Sequence, residues 1–247
     1  MSLPADGGAG RIEEIMDERT ALADAALETI AEAFHPPDRQ SLDELRCEIS
    51  EKRLDLLSAY DYHLLAMLTS EGAVMGTVVG VYLEGVNAGF VTYLAVRSAY
   101  RAQGVARRLR TRLVDLCRED ARRAEWDDLA WVLGEVRHDN QWLRRLIRER
   151  DAIVFDLDYY HPGMVPGAAP ARYVLYRQPV GDRRRELPVQ EVRRILFAVY
   201  RRGYRVRYPL LRDGFRHMLG QLEDRHVVAP HPDFHDPADG CATGSGT

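Results

Sequence analysis

The stretch YLAVRSAYRAQGVARRL, residues 93–109, decides how this chain folds. It runs from an apolar, alternating segment through Arg101 and a single glycine, Gly104, into a basic amphipathic segment. That order predicts a strand, a tight turn and a helix N-terminus in direct succession. A helix N-terminus leaves several backbone N–H groups without intrahelical partners, and together with the helix dipole they attract anions. Gly104 can take backbone angles that a Cβ resists, and it lets the main chain approach a bulky anion. Ala106 keeps the helix entrance small, and Arg101 adds a planar fork suited to phosphate oxygens. Neither G-x-x-x-x-G-K-[ST] nor G-x-G-x-x-G occurs, so the turn is neither a P-loop nor the dinucleotide fingerprint.

Upstream of the turn, YHLLAML (62–68), VMGTVVGVYL (74–83) and AGFVTYLAV (88–96) are separated by SEG and EGVN. They read as an antiparallel meander. Residues 11–34 carry Ile15, Leu22, Ala26, Leu27 and Ile30 at helical spacing, and HPP at 35–37 stops that helix. Ser41 and Glu44 form a capping-box pattern that opens a second helix through about Leu57. Downstream, Leu109, Leu113 and Leu116 mark one face of a helix over 105–121. LAWVLGEV (129–136) reads as a buried strand, 140–150 as a helix, and AIVFDLDYY and ARYVLYR as two more strands. The order ααβββαβαββ gives an α/β (α+β) class: a mixed, mostly antiparallel sheet with helices on both faces. This unit spans 11–178. Residues 179–226 form a helical C-terminal extension, with an apolar stripe of Val192, Ile195, Leu196 and Val199 and a further helix over 209–223. Residues 1–10 and 227–247 are expected to be disordered.

A formal net charge of −4 argues against a general polyanion binder, so no nucleic-acid partner is expected. Lys52 is the sole lysine among 34 basic residues, a bias that reads as genomic base composition. Cys47, Cys117 and Cys241 lie far apart with no paired spacing, which fits a reducing compartment and gives no zinc framework. The N-terminus lacks a basic and an apolar region of the kind signal peptides carry, and the longest apolar run falls well short of the ~20 residues that span a bilayer. A soluble, cytoplasmic protein with no membrane partner is the expectation. His226, His231, Asp233, His235 and Asp236 match no strong metal template, and no metal is expected.

With these residues in hand, LAVRSAYRAQGVARRLRTRLVDLC resembles motif A of the GNAT superfamily of acyl-CoA-dependent N-acyltransferases. The core pattern Q/R-x-x-G-x-G/A is matched by Arg101, Gly104 and Ala106. The order of elements over 11–178 is also that of the GNAT fold. The resemblance implies that the strands 88–96 and 129–136 run parallel and splay apart around the pantetheine arm of acetyl-CoA, the implied cosubstrate. Main-chain groups of Leu94 and Val96 would then bond that arm, with the Val96 N–H polarising the thioester carbonyl. The amides of Gln103, Gly104, Val105 and Ala106, with Arg101, would hold the pyrophosphate. Arg107 and Arg108 are available to the 3′-phosphate or form a solvated face. Asn140 matches an asparagine that many members use on the CoA arm, and it also fits an N-cap.

The tyrosine that many members place on the helix after the splay is absent, since Ile147 falls there. YYHPGM resembles a Tyr-x-x-Pro element of some bacterial members, which makes Tyr159 the candidate general acid and Tyr160 its reserve. Adjacent strand residues face opposite ways, so at most one faces the cleft. Glu135, near the end of the second splayed strand, is the candidate base; Glu84 and His138 are weaker ones. Two readings stay open: N-acetyl transfer to a primary amine of a small molecule or peptide, or a GNAT fold that binds CoA or a protein without catalysis. The chain is expected to be a monomer or homodimer.

Overall fold

The computed structural model describes residues 10–57, 60–138, 140–150, 152–165 and 170–235. Three long strands form the expected meander: β2 (Tyr60–Leu68), β3 (Val74–Leu83) and β4 (Ala88–Val96). Their apolar residues are buried on both faces, which explains the near-continuous hydrophobic runs. The segment expected as one helix over 11–34 divides into an edge strand β1 (Arg11–Glu14) and helix α1 (Ala21–Ala33). Thr20 makes the division, since its hydroxyl accepts the Ala23 N–H at 3.1 Å and starts the helix there. Helix α2 (Leu42–Arg53) opens on the full Ser41–Glu44 capping box.

After the turn come α3 (Val105–Arg123), β5 (Trp131–Val136) and α4 (Gln141–Arg150). AIVFDLDYY, expected as one strand, bends into β6 (Ile153–Val154) and β7 (Tyr159–His161), and both pair with β8 (Ala171–Pro179). The bend is held from outside: Asp156 N–H donates to Ala229 O, and Asp158 N–H to Gln221 Oε1. The main sheet runs β1-β2-β3-β4-β5-β8-β6. Every neighbouring pair is antiparallel except β4–β5. Helix α3 packs on one face, while α1 and α2 cover the other.

The C-terminal segment adds β9 (Leu187–Pro188), α5 (Val189–Ala198), α6 (Asp213–Gly220) and β10 (Val227–Val228). The apolar stripe of α5 is fully buried in the same core as Leu27, Phe90 and Leu133, so this segment docks on its own sheet. The helix expected over 209–223 divides into a 3-10 turn at Pro209–Leu211 and α6, because Arg212 between them takes extended angles (φ −91°, ψ 128°). Residues 227–235, expected as loose tail, are ordered. Val227 and Val228 pair with Pro188 and Leu187, and Val154 N–H donates to His235 Nε2 at 3.0 Å. Residues 1–9 and 236–247, Asp236 among them, lie outside the described residues. Among the described residues, no helix is long and apolar enough to cross a membrane.

Candidate functional site

The parallel ladder between β4 and β5 begins at Ala88 and Trp131 and stops at Val91 and Gly134. Both strands continue beyond it, to Val96 and Val136. On the other edge of β4 the register against β3 steps from Val91↔Gly80 to Tyr93↔Val79, so Thr92 is the extra residue of a β-bulge. A bulge bends its strand and sharpens its twist, which carries the end of β4 away from β5. Arg97 N–H donates to Met75 O on β3. By strand alternation, the main-chain groups of Leu94 and Val96 point the opposite way, into the gap. Glu135 as a residue is half-buried although its side chain is only 4% exposed, so solvent reaches it at its backbone.

The turn at the open end of β4 is built to present N–H groups. Ser98–Tyr100 make one 3-10 turn, and Ala102 (φ 62°) and Gly104 (φ 77°) both take left-handed angles before α3 starts. Gly104 caps α3 with no side-chain hydrogen bond, and the first backbone bond beyond it is Arg108 N–H to Gly104 O. The N–H groups of Val105, Ala106 and Arg107 therefore have no helical acceptor. Arg101 is exposed and tethered, with its Nε donating to Val96 O at 3.3 Å. The Gln103 side chain donates to Ala99 O at 2.9 Å, which fixes the loop. Arg107 is exposed at the turn, whereas Arg108 donates to Gly10 O across the sheet edge. These groups fit an acyl-CoA: a nest of free amides and arginines for phosphates, opening onto a gap between strands for a pantetheine arm. Asn140 caps α4, with Oδ1 accepting Trp142 N–H at 2.9 Å. Ile147 packs with Leu143, Leu146 and Val174.

Behind the gap, on the α1–α2 face, lies a buried polar cluster. Glu135 follows Trp131 and Leu133 at period two and points into that core with them. His161 Nε2 is 3.7 Å from Glu135 Oε1, and both side chains are almost wholly buried. Gly163 N–H donates to His161 Nδ1 at 3.1 Å, so a neutral ring carries its proton on Nε2, toward Glu135. The hydroxyls of Tyr159 and Tyr204 also approach this carboxylate. Even so, Glu135 Oε2, Tyr159 Oη and His161 Nε2 lack hydrogen bonds of standard geometry. Buried polar atoms without partners are rare and costly, and here three of them converge. Burial pushes the Glu135 carboxyl above its ordinary value, opposed by His161, Tyr159 and Tyr204. Burial likewise pushes the Tyr159 phenol well up, which keeps it protonated.

Tyr159 and Glu135 thus come together, and Tyr160 does not join them. Its ring packs edge-on against His217 of α6 at 5.4 Å. Glu84 is exposed in the β3–β4 turn, and His138 is exposed against Phe234. His161 and Tyr204 are the residues that sequence reasoning missed. His161 sits two positions after Tyr159 in the same strand and so faces the same way, a signal within reach. Tyr204 arrives only through tertiary packing.

Comparison with curated protein sequences finds no match. Among solved structures, a protein assigned to the GNAT acetyltransferase family from Bacteroides thetaiotaomicron superposes with a TM-score of 0.57 at 16% identity, covering 79% of this chain and 99% of that one. One assigned as an acetyltransferase from Acinetobacter baylyi ADP1 gives 0.50 at 13% identity, covering 70% and 94%. Another so assigned, from Salmonella typhimurium and solved with acetyl-CoA, gives 0.47 at 17% identity, covering 71% and 96%. The first two likenesses speak to the fold. A model of the acetyltransferase (GNAT) family matches residues 24–150, from α1 through the phosphate-type turn and the splayed pair to the end of α4. Matched over more than half its length, the chain belongs to the GNAT acetyltransferase family.

Proposed function

We propose that this protein is an N-acetyltransferase that moves an acetyl group from acetyl-CoA to a primary amine by direct attack. The observation that carries the reading is Glu135: a buried carboxylate with an unpartnered oxygen, one residue beyond the point where β4 and β5 part. Bound in the gap, acetyl-CoA supplies the activated acetyl group. The amides of Gln103, Gly104, Val105 and Ala106 would hold its pyrophosphate with Arg101, and Arg107 is free for a further phosphate. The Leu94 and Val96 main chain would pair with the pantetheine arm. The Val96 N–H, directed into the gap, would stabilise charge on the thioester oxygen.

Glu135 takes the proton that the acceptor ammonium must lose before its nitrogen can bond the acetyl carbon. Its raised pKa brings a carboxylate nearer the range where such a base works. As the carbon–sulfur bond breaks, Tyr159 gives its phenolic proton to the departing thiolate and takes in return the second proton, which the acceptor nitrogen sheds on becoming an amide, while Glu135 releases its proton to solvent. The products are the amide and free CoA thiol. Asn140 stays a candidate for the CoA arm through its Nδ2, because its capping bond uses only Oδ1.

Ile147, packed in the core where many members carry a tyrosine, favours a second reading in which the protein binds acetyl-CoA without transfer. One assay separates them: thiol release from acetyl-CoA across a panel of small amines, polyamines and peptides. Transfer predicts release with some amine, and a 10²–10⁴-fold lower turnover in Glu135→Gln with unchanged acetyl-CoA affinity. Acetyl-CoA binding with no thiol release from any amine would favour the second reading.

A further inference from the structure

The C-terminal segment does more than cover the sheet. After α5 the helix widens into a π turn at Val199–Gly203, and Tyr204 N–H donates to Val199 O at 3.0 Å. This turn lies directly on β4: a Cβ on Gly203 would stand 2.8 Å from the Phe90 ring, so only glycine permits the approach. The turn is pinned on both sides. Tyr200 donates its hydroxyl to Tyr160 O on β7, and Arg205 bonds Glu51 of α2 at 2.9 Å. Between these pins Tyr204 is 3% exposed, edge-on to His161 at 4.8 Å and to Phe90 at 5.5 Å. It thereby borders the same buried carboxylate as His161, whose Nε2 stands 3.7 Å from Glu135 Oε1, and its hydroxyl interacts with that carboxylate.

Packing alone explains the Tyr204 ring but not its hydroxyl. A phenylalanine would fill the same space between Phe90 and His161, whereas a buried hydroxyl costs free energy unless it is used. π turns inside helices are also enriched at functional positions. We propose that Tyr204, delivered by the C-terminal segment, is a positioning residue that holds Glu135 ready as the base, so that this segment completes the active site. The proposal rests on the reading of Glu135 as the base.

Tyr204 does not act on Glu135 alone. From β7 come Tyr159 and His161, from the π turn Tyr200, from β4 Tyr93, and from β8 Tyr173 and Tyr176. Asp38, which Arg137 holds at 2.8 Å, is the nearby carboxylate. Tyr204 and His161 favour the ionised form of Glu135, so losing either one makes its proton harder to remove.

The test uses the full chain labelled with ¹³Cδ-glutamate, with the Glu135 signal assigned by its loss in Glu135→Gln. Its titration midpoint is compared among the parent, Tyr204→Phe and His161→Gln, beside acetyl-CoA titrations and the pH profile of kcat/KM for an accepted amine. Both variants should move the midpoint, and the acid limb of the profile with it, to higher pH while acetyl-CoA affinity stays unchanged. A Tyr204→Phe midpoint equal to that of the parent overturns the proposal. Should Tyr204→Phe not fold, an unmoved midpoint in His161→Gln overturns it instead. Absence of turnover in the parent would sink the transferase reading, while the NMR midpoint would still decide the role of Tyr204.

Discussion

Val91 and Gly134 are the last residues paired between β4 and β5, and the next residue of β4, Thr92, is the extra residue of a bulge. One local irregularity thus ends the only parallel ladder among the described residues and turns two strand ends into the walls of a gap. Leu94 and Val96 lie on β4 beyond that ladder, and Arg101 and Gly104 lie in the turn that follows it.

Ligand binding should therefore stabilise the fold. At a hundredfold excess over its dissociation constant, acetyl-CoA should add about 2.7 kcal/mol to the unfolding free energy. Gly104→Val forces a β-branched side chain to φ 77°, which costs a little stability and fills the place where a phosphate approaches. Differential scanning fluorimetry should show a folded variant whose melting temperature no longer responds to acetyl-CoA.

The two adjacent tyrosines should behave differently. Tyr159 is buried beside Glu135, whereas Tyr160 packs on α6. Tyr159→Phe should lower kcat by about 10²–10⁴-fold with acetyl-CoA affinity kept, as expected for loss of a general acid. Tyr160→Phe should leave kcat near that of the parent. Equal effects of the two on steady-state kinetics would remove tyrosine from the proton transfers.

Much of this was legible in sequence because it is local. Gly104, the amphipathic face of α3 and the polar Glu135 after Trp131 and Leu133 each sit in a short, regular pattern. Ile15 was misread because it falls at helical spacing with Leu22, yet its N–H donates to Leu64 O and Thr20 starts the helix later. Residues 227–235 looked like tail by composition. What orders them is pairing with Leu187–Pro188 and bonding to β6, contacts between distant segments that no local pattern encodes. Tyr204 escaped for the same reason: its neighbours Phe90 and His161 lie on other strands.

The buried stripe of α5 should matter to the whole fold. Ile195 is fully buried in the core shared with the sheet, and Ile195→Ala should cost about 2–5 kcal/mol. Urea unfolding followed by circular dichroism should show a single transition at a lower midpoint. Truncation before β9 should give an insoluble or much less stable chain, because it uncovers Phe90 and Tyr159 together.

Glu48 predicts a pH dependence of stability. Burial pushes its carboxyl from 4.5 to about 8, against the Gln40 amide that donates to it at 2.7 Å. Because the folded-state value lies above the unfolded one, its contribution is fully present below about pH 4.5 and is lost as pH rises toward about 8. Glu48→Gln keeps an acceptor for Gln40 and removes the titration. The melting temperature of the variant relative to the parent should rise steadily across that interval and level off above it.

The central claim is that acetyl-CoA lies in the gap between β4 and β5 with its phosphates on the turn before α3. A ¹H–¹⁵N TROSY titration of the full chain with acetyl-CoA tests it most directly. The account predicts saturable shifts concentrated at the amides of Leu94, Val96, Gln103, Gly104, Val105 and Ala106, weaker ones at Asn140, and little change at Gln190, Arg193 and His226 around the separate surface cavity beside α5. No binding, or shifts confined to that cavity, would contradict it.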